Sequence, residues 1–140
     1  MPFARRQDLL FRVLLRTSVI SEKPIVAVIE DDPDAAEALA LILRDWGAEV
    51  MSDISAAPLA RRLGSRVGDL TCIIADYDLG PGQDGVAAAK SLAASAPEAR
   101  VLVLSGALRD SGLAAARAAG FDFMAKPARP SAIVDWLEGD

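Results

Sequence analysis

The sequence predicts an α/β fold: a doubly wound (βα)5 unit whose five-stranded parallel sheet takes the flavodoxin-like order 2-1-3-4-5, preceded by an extra N-terminal amphipathic helix. Three observations predict it. Continuous apolar runs at residues 25–29, 70–75 and 101–104 are what strands buried on both faces look like, and parallel strands under crossover helices are buried that way. Longer stretches with helical spacing separate these runs, and right-handed crossovers then pack helices on both sides of one sheet. A length of 140 residues with 52% hydrophobic and 25% charged side chains suits one globular domain.

Each element has its own signal. Residues 25–29 form the first strand, and 32–46 the first helix, with Pro33 in its first turn and Ala36, Leu39, Ile42, Leu43 and Trp46 at helical spacing. Gly47 ends it. Residues 48–51 make a brief second strand and 56–63 a weak helix. After the third strand at 70–75, a glycine-rich loop covers 80–85, and an alanine-rich helix runs over 86–94 until Pro97 stops the pattern. The fourth strand is 101–104, followed by a helix at 109–119 closed by Gly120. The fifth strand is 121–124. The last helix, 130–137, carries Ile133, Val134, Trp136 and Leu137, and both tryptophans fall on core-facing helix sides.

Charge divides the chain near Pro24, giving an opening segment of residues 1–23 and a domain of residues 24–140. The segment holds Arg5, Arg6, Arg12, Arg16 and Lys23 against Asp8 and Glu22, a charge of +3 that leaves −8 of the total −5 for the rest. Arg5, Arg12 and Arg16 fall on one stripe and Phe3, Leu10, Phe11, Leu14 and Leu15 on the other. This basic amphipathic pattern, over residues 3–17, can self-associate, lie on an anionic membrane surface, or dock on the domain; the alternative is an over-extended start or the remnant of an upstream linker. Arg12 interrupts its apolar stretch and no small-residue cleavage site follows, so a secretory signal is not expected. No apolar run approaches the roughly 20 residues that span a bilayer, and a cytoplasmic location is expected.

Composition excludes several chemistries. A net charge of −5 leaves no basic footprint for nucleic acid. One cysteine, Cys72, lies in an apolar run and reads as a small buried hydrophobe. Zero histidines remove the commonest general base, metal ligand and phosphorylated carrier together. What chemistry there is runs on carboxylates.

In a doubly wound sheet, ligands bind beside the carboxyl ends of the strands. The first strand ends in Glu30, Asp31 and Asp32, the third in Asp76, the fourth in Ser105, and the fifth leads into Lys126. Asp32 and Asp34 serve as caps at a helix N-terminus; Glu30 and Asp31 finish an apolar strand and are placed for a metal. Two carboxylates roughly 4 Å apart repel by about 4 kcal/mol at an effective dielectric near 20. Either their pKa values rise or a cation binds. Hard oxygens without imidazole or thiolate favour Mg2+, with Mn2+ as the alternative. Lys126 and Ser105 offer a charge and a hydroxyl to phosphoryl oxygens, and Asp76 is the central candidate for a carboxylate nucleophile that forms an acyl phosphate.

The strings Val28-Ile29-Glu30-Asp31-Asp32-Pro33, Ile74-Ala75-Asp76-Tyr77-Asp78, Leu104-Ser105-Gly106 and Lys126-Pro127 fall in order at four strand ends. Over about residues 24 to 138 the chain resembles a response-regulator receiver domain of two-component, or phosphorelay, signalling. The resemblance implies that Asp76 accepts a phosphoryl group from a histidine kinase or phosphotransfer protein and that Glu30 and Asp31 hold the metal. It implies that Asp78 meets the metal through its backbone carbonyl, that Ser105 follows the phosphoryl group, that Lys126 pairs with it, and that Phe123 changes rotamer. Beyond self-catalysed phosphoryl transfer and self-dephosphorylation it implies no enzyme activity. Only three residues of the sequence follow the last helix, so the expected signal passes by protein contact without an output domain.

Two features depart from that family pattern. The loop Asp78-Leu79-Gly80-Pro81-Gly82-Gln83-Asp84 is one residue longer than the commonest form, which leaves the alignment of Pro81 open, and the opening basic segment has no counterpart. Two other functions stay in view. Asp76-Tyr77-Asp78 also fits the Asp-x-Asp of haloacid-dehalogenase-like phosphatases, although that family puts the motif on its first strand, before its other acids. A receiver-like module that binds without being phosphorylated is the third reading, and the intact acids speak against it.

Overall fold

A computed structural model describes residues 23–106 and 110–139. Within them, β1 (Ile25–Ile29), β2 (Glu49–Asp53), β3 (Leu70–Asp76), β4 (Arg100–Gly106) and β5 (Asp122–Lys126) alternate with α1 (Pro33–Trp46), α2 (Ala56–Leu63), α3 (Gly85–Ala93), α4 (Asp110–Ala118) and α5 (Pro130–Leu137). All five strands are parallel in the order β2-β1-β3-β4-β5, the flavodoxin-like arrangement expected. The amphipathic helix expected within residues 1–23 lies outside the described residues, apart from Lys23. Among the described residues no helix is long and apolar enough to cross a membrane.

Alternation along the central strands sorts side chains to the two faces of the sheet. Ile25, Ala27 and Ile29 of β1, Ile73 and Ala75 of β3, and Val101 and Val103 of β4 pack with Leu59, Leu63, Val86, Leu92 and Ala116 in one core. Val26 and Val28, Cys72 and Ile74, and Leu102 and Leu104 pack with Leu39, Leu43, Ile133, Trp136 and Leu137 in the other. α2, α3 and α4 therefore cover one face and α1 and α5 the other. Cys72 is 1% exposed and its thiol is pushed up to about 12 by burial, so it is the inert hydrophobe expected.

Helix ends follow their local chemistry. The Asp32 carboxylate caps α1 by accepting from the Asp34 amide at 3.0 Å, and Gly47 closes the helix in the left-handed conformation at φ 117°. Asp84 caps α3 by accepting from the Ala87 amide at 2.7 Å. Trp136 donates its Nε1–H to Asp122 at 2.8 Å while the Arg100 guanidinium sits 4.3 Å from its ring centre, which fastens the end of α5 to the starts of β4 and β5.

Boundaries moved where polar residues join an apolar element. β2 runs to Asp53 rather than stopping at residue 51, because Ser52 and Asp53 still pair with Val28 and Ile29 at a sheet edge that tolerates polar side chains. β4 extends through Ser105 to Gly106 and β5 to Lys126, since their last residues pair with each other. Between α2 and β3, Gly64–Asp69 forms a 3₁₀ segment. α4 is described from Asp110, so Arg109, its expected first residue, falls outside.

Candidate functional site

The carboxyl rim of the sheet gathers the acids because β1 and β3 are neighbours in register, Ile29 opposite Ala75. The next residues up, Glu30 and Asp76, are 8% and 6% exposed, the only buried carboxylates among the described residues. Exposed Asp31 joins them: one carboxylate oxygen from each of Glu30, Asp31 and Asp76 lies within 4.8 Å of the others. Lys126, ending β5, reaches Asp76 Oδ1 at 3.1 Å and Glu30 Oε2 at 3.4 Å.

Backbone amides hold both buried carboxylates. Asp32 N–H donates to Glu30 Oε1 at 3.1 Å, and Asp78 N–H donates to Asp76 Oδ1 at 3.2 Å. Burial pushes Glu30 up to about 7, helped by the Asp76 charge and opposed by the Asp32 amide and Lys126. Burial by itself would lower Lys126, but the hydrogen bond and charge of Asp76, then those of Glu30, outweigh it and raise Lys126 above its ordinary value. Three carboxylates against one ammonium leave excess negative charge in a partly dry site, and their donor atoms are hard oxygens only. That set fits a divalent cation of the magnesium type.

Asp78 enters the site through its backbone; its side chain is exposed and it forms a β-bridge with Asp84 across the loop. The bridge fixes the loop's return to α3, where Gly85 N–H donates to the Tyr77 carbonyl at 2.9 Å. A Cβ on Gly85 would lie 2.6 Å from the Asp76 carbonyl carbon and closer still to its oxygen. Gly85 is thus what allows α3 to start against the backbone of the central aspartate. Residues 80–85 look in the sequence like a glycine-rich loop, and the one sign of this role there is a glycine directly after the capping Asp84.

Ser105 is 1% exposed, and its Oγ has no hydrogen-bond partner among the described residues. By alternation it lies on the same face as Val101 and Val103, whereas Asp76 lies on the face of Cys72 and Ile74. Its hydroxyl therefore starts on the other side of the sheet from the acids. Phe123 pairs with Val103, two residues below the Ser105–Ala125 pair, and packs half-buried in that same core. The structure thus gathers Glu30, Asp31, Asp76 and Lys126, places Asp78 beside them, and stacks Ser105 and Phe123 on the adjoining strands. The Lys126–Pro127 peptide is cis.

The family model of the response regulator receiver domain matches residues 26–138, and the chain belongs to that family. Solved structures share the fold. A response regulator receiver domain protein of Clostridium thermocellum is 19% identical, with 81% of this chain and 90% of that one aligned at a TM-score of 0.68. The chemotaxis protein CheY4 of Vibrio cholerae is 18% identical over 82% of this chain and 96% of that one, TM-score 0.69. A response regulator of Burkholderia pseudomallei, solved with a phosphorylated aspartic acid, a calcium ion and citrate, is 26% identical over 81% of this chain and 66% of its own, TM-score 0.69. No curated protein sequence matches the chain. Family membership agrees with the chain-order argument against a dehalogenase-type phosphatase, since Asp76 ends the third strand and Glu30 and Asp31 precede it.

Proposed function

We propose that the protein is a phosphoacceptor switch of a two-component or phosphorelay system, phosphorylated on Asp76 by a histidine kinase or phosphotransfer protein. The observation that carries this reading is the convergence of Glu30, Asp31, Asp76 and Lys126 at one rim. An oxygen of Asp76 attacks phosphorus of a phosphohistidine; the new O–P bond forms as the N–P bond breaks, and the imidazole leaves with the electron pair. Glu30 and Asp31, with Asp76 and the Asp78 carbonyl, would hold Mg2+, which when bound supplies neutralisation of the incoming phosphoryl oxygens. Lys126 pairs with a phosphoryl oxygen, exchanging its Asp76 contact for that one. Ser105 then donates its unpartnered hydroxyl to another oxygen, and Phe123 moves into the space it leaves.

The readout is by protein contact, a local electrostatic event converted into packing on the face of α4, β5 and α5. Donor, acceptor and site all suit a cytoplasmic protein. The test is intact-mass measurement of the full chain after incubation with Mg2+ and acetyl phosphate. One added phosphoryl group in the wild type and none in Asp76→Asn is expected. No gain, or a gain that survives Asp76→Asn, overturns the reading and leaves a module that binds without phosphorylation.

A further inference from the structure

α4 contains a glycine that its backbone does not call for. Gly112 lies inside the helix without a positive φ, in a stretch that otherwise uses alanine at Ala114, Ala115, Ala116 and Ala118. In such a position glycine costs helix stability relative to alanine, because it loses more conformational freedom. Space explains it. Gly112 is buried, and a Cβ there would lie 3.1 Å from Ser105 Oγ, 3.3 Å from Ser105 Cβ and 3.3 Å from Tyr77 Cδ2. One turn later Ala116 is 0% exposed on the same helix side, so this side faces the sheet at close range.

We propose that Gly112 is a positioning residue for Ser105: it provides the recess in which the hydroxyl rests against α4, and so sets how readily that hydroxyl turns toward Asp76. Two facts give the recess this effect. Ser105 Oγ has no hydrogen bond among the described residues to hold it there, so leaving sacrifices none. It also begins on the α4 side of the sheet, so it has to rotate to reach the rim. A methyl group at position 112 crowds Oγ at 3.1 Å in the resting rotamer, a contact the rim-facing rotamer relieves, whereas its 3.3 Å contacts with Ser105 Cβ and Tyr77 Cδ2 are common to both rotamers. The inference rests on the proposed phosphoacceptor function and adds the residue that tunes it.

Gly112→Ala therefore shifts Ser105 toward the phosphoryl-facing rotamer by about three- to tenfold, the size of an ordinary off-rotamer penalty. The experiment is the rate of Asp76 phosphorylation by acetyl phosphate with Mg2+ in the wild type, Gly112→Ala, Ser105→Ala and the double variant. The rate is expected to rise in Gly112→Ala, and that rise is expected to vanish when Ser105 is alanine, a dependence that a merely structural role of Gly112 does not produce. An unchanged rate in Gly112→Ala, or an equal rise in both backgrounds, overturns the inference while the phosphoacceptor function stands. A wild type that acquires no phosphoryl group overturns both. If Gly112→Ala does not fold, Ser105→Gly in the same chain is expected to restore folding by clearing the recess; failure to restore it refutes the crowding on which the inference depends.

Discussion

Gly85 and Glu30 show how much of the site is decided by single atoms. A methyl group on Gly85 collides with the carbonyl of Asp76, and neither partner is a movable side-chain end. Gly85→Ala is expected to destabilise the fold by about 3 kcal/mol or more, read as a fall in urea midpoint, together with slower phosphorylation. Glu30, Asp31, Asp76 and Lys126 were legible in the sequence because each closes an apolar run, and an acid at the end of a buried strand has few structural reasons to be there. Gly85 and Gly112 were not legible as site residues. Their role is the absence of an atom next to a residue far away in the chain, and nothing local in the sequence records that distance.

At the scale of elements, the joint between α5 and the sheet rests on Trp136. Its indole both donates to Asp122 and receives the Arg100 cation on its face. Trp136→Phe keeps the apolar burial but removes the N–H and weakens the ring's attraction for the cation. A loss of about 1–2 kcal/mol is expected by chemical denaturation, with phosphorylation unchanged because the joint lies at the opposite end of β5 from Lys126. Helical spacing shows this tryptophan as a core residue but not its polar contact, since the partner is a residue on another element. β1 and β3 were readable in full from their unbroken apolar runs. The 3₁₀ segment Gly64–Asp69 was not, because its polar and glycine residues carry no period, and the tail of β2 was not, because an edge strand need not look buried.

For the whole molecule, the raised pKa of Glu30 makes both stability and ion binding depend on pH. Its folded value of about 7 lies above the ordinary 4.5 of a glutamate, so the folded chain binds this proton more tightly than the unfolded chain. The resulting stabilisation is complete below the unfolded pKa and is lost as pH rises through 7. Without divalent ion, Glu30→Gln is expected to be more stable than wild type at pH 8, by on the order of 1–3 kcal/mol, and to lose that advantage near pH 5, as thermal unfolding will read. Binding of Mg2+ needs the carboxylate, so its affinity should fall about tenfold per pH unit below 7, measured as a shrinking rise in Tm at fixed Mg2+. The opposite slope places the ion elsewhere.

The proposed function requires three acids at the ends of β1 and β3 to share one divalent ion so that Asp76 takes up a phosphoryl group. Its most direct test is to treat the full chain with acetyl phosphate, with Mg2+ or with a chelator, trap acyl phosphate by borohydride reduction, and locate the reduced residue by peptide mass. Reduction is expected at Asp76 alone and only when Mg2+ is present. Reduction at Asp31 or Asp78, or equal labelling in the chelator, contradicts it.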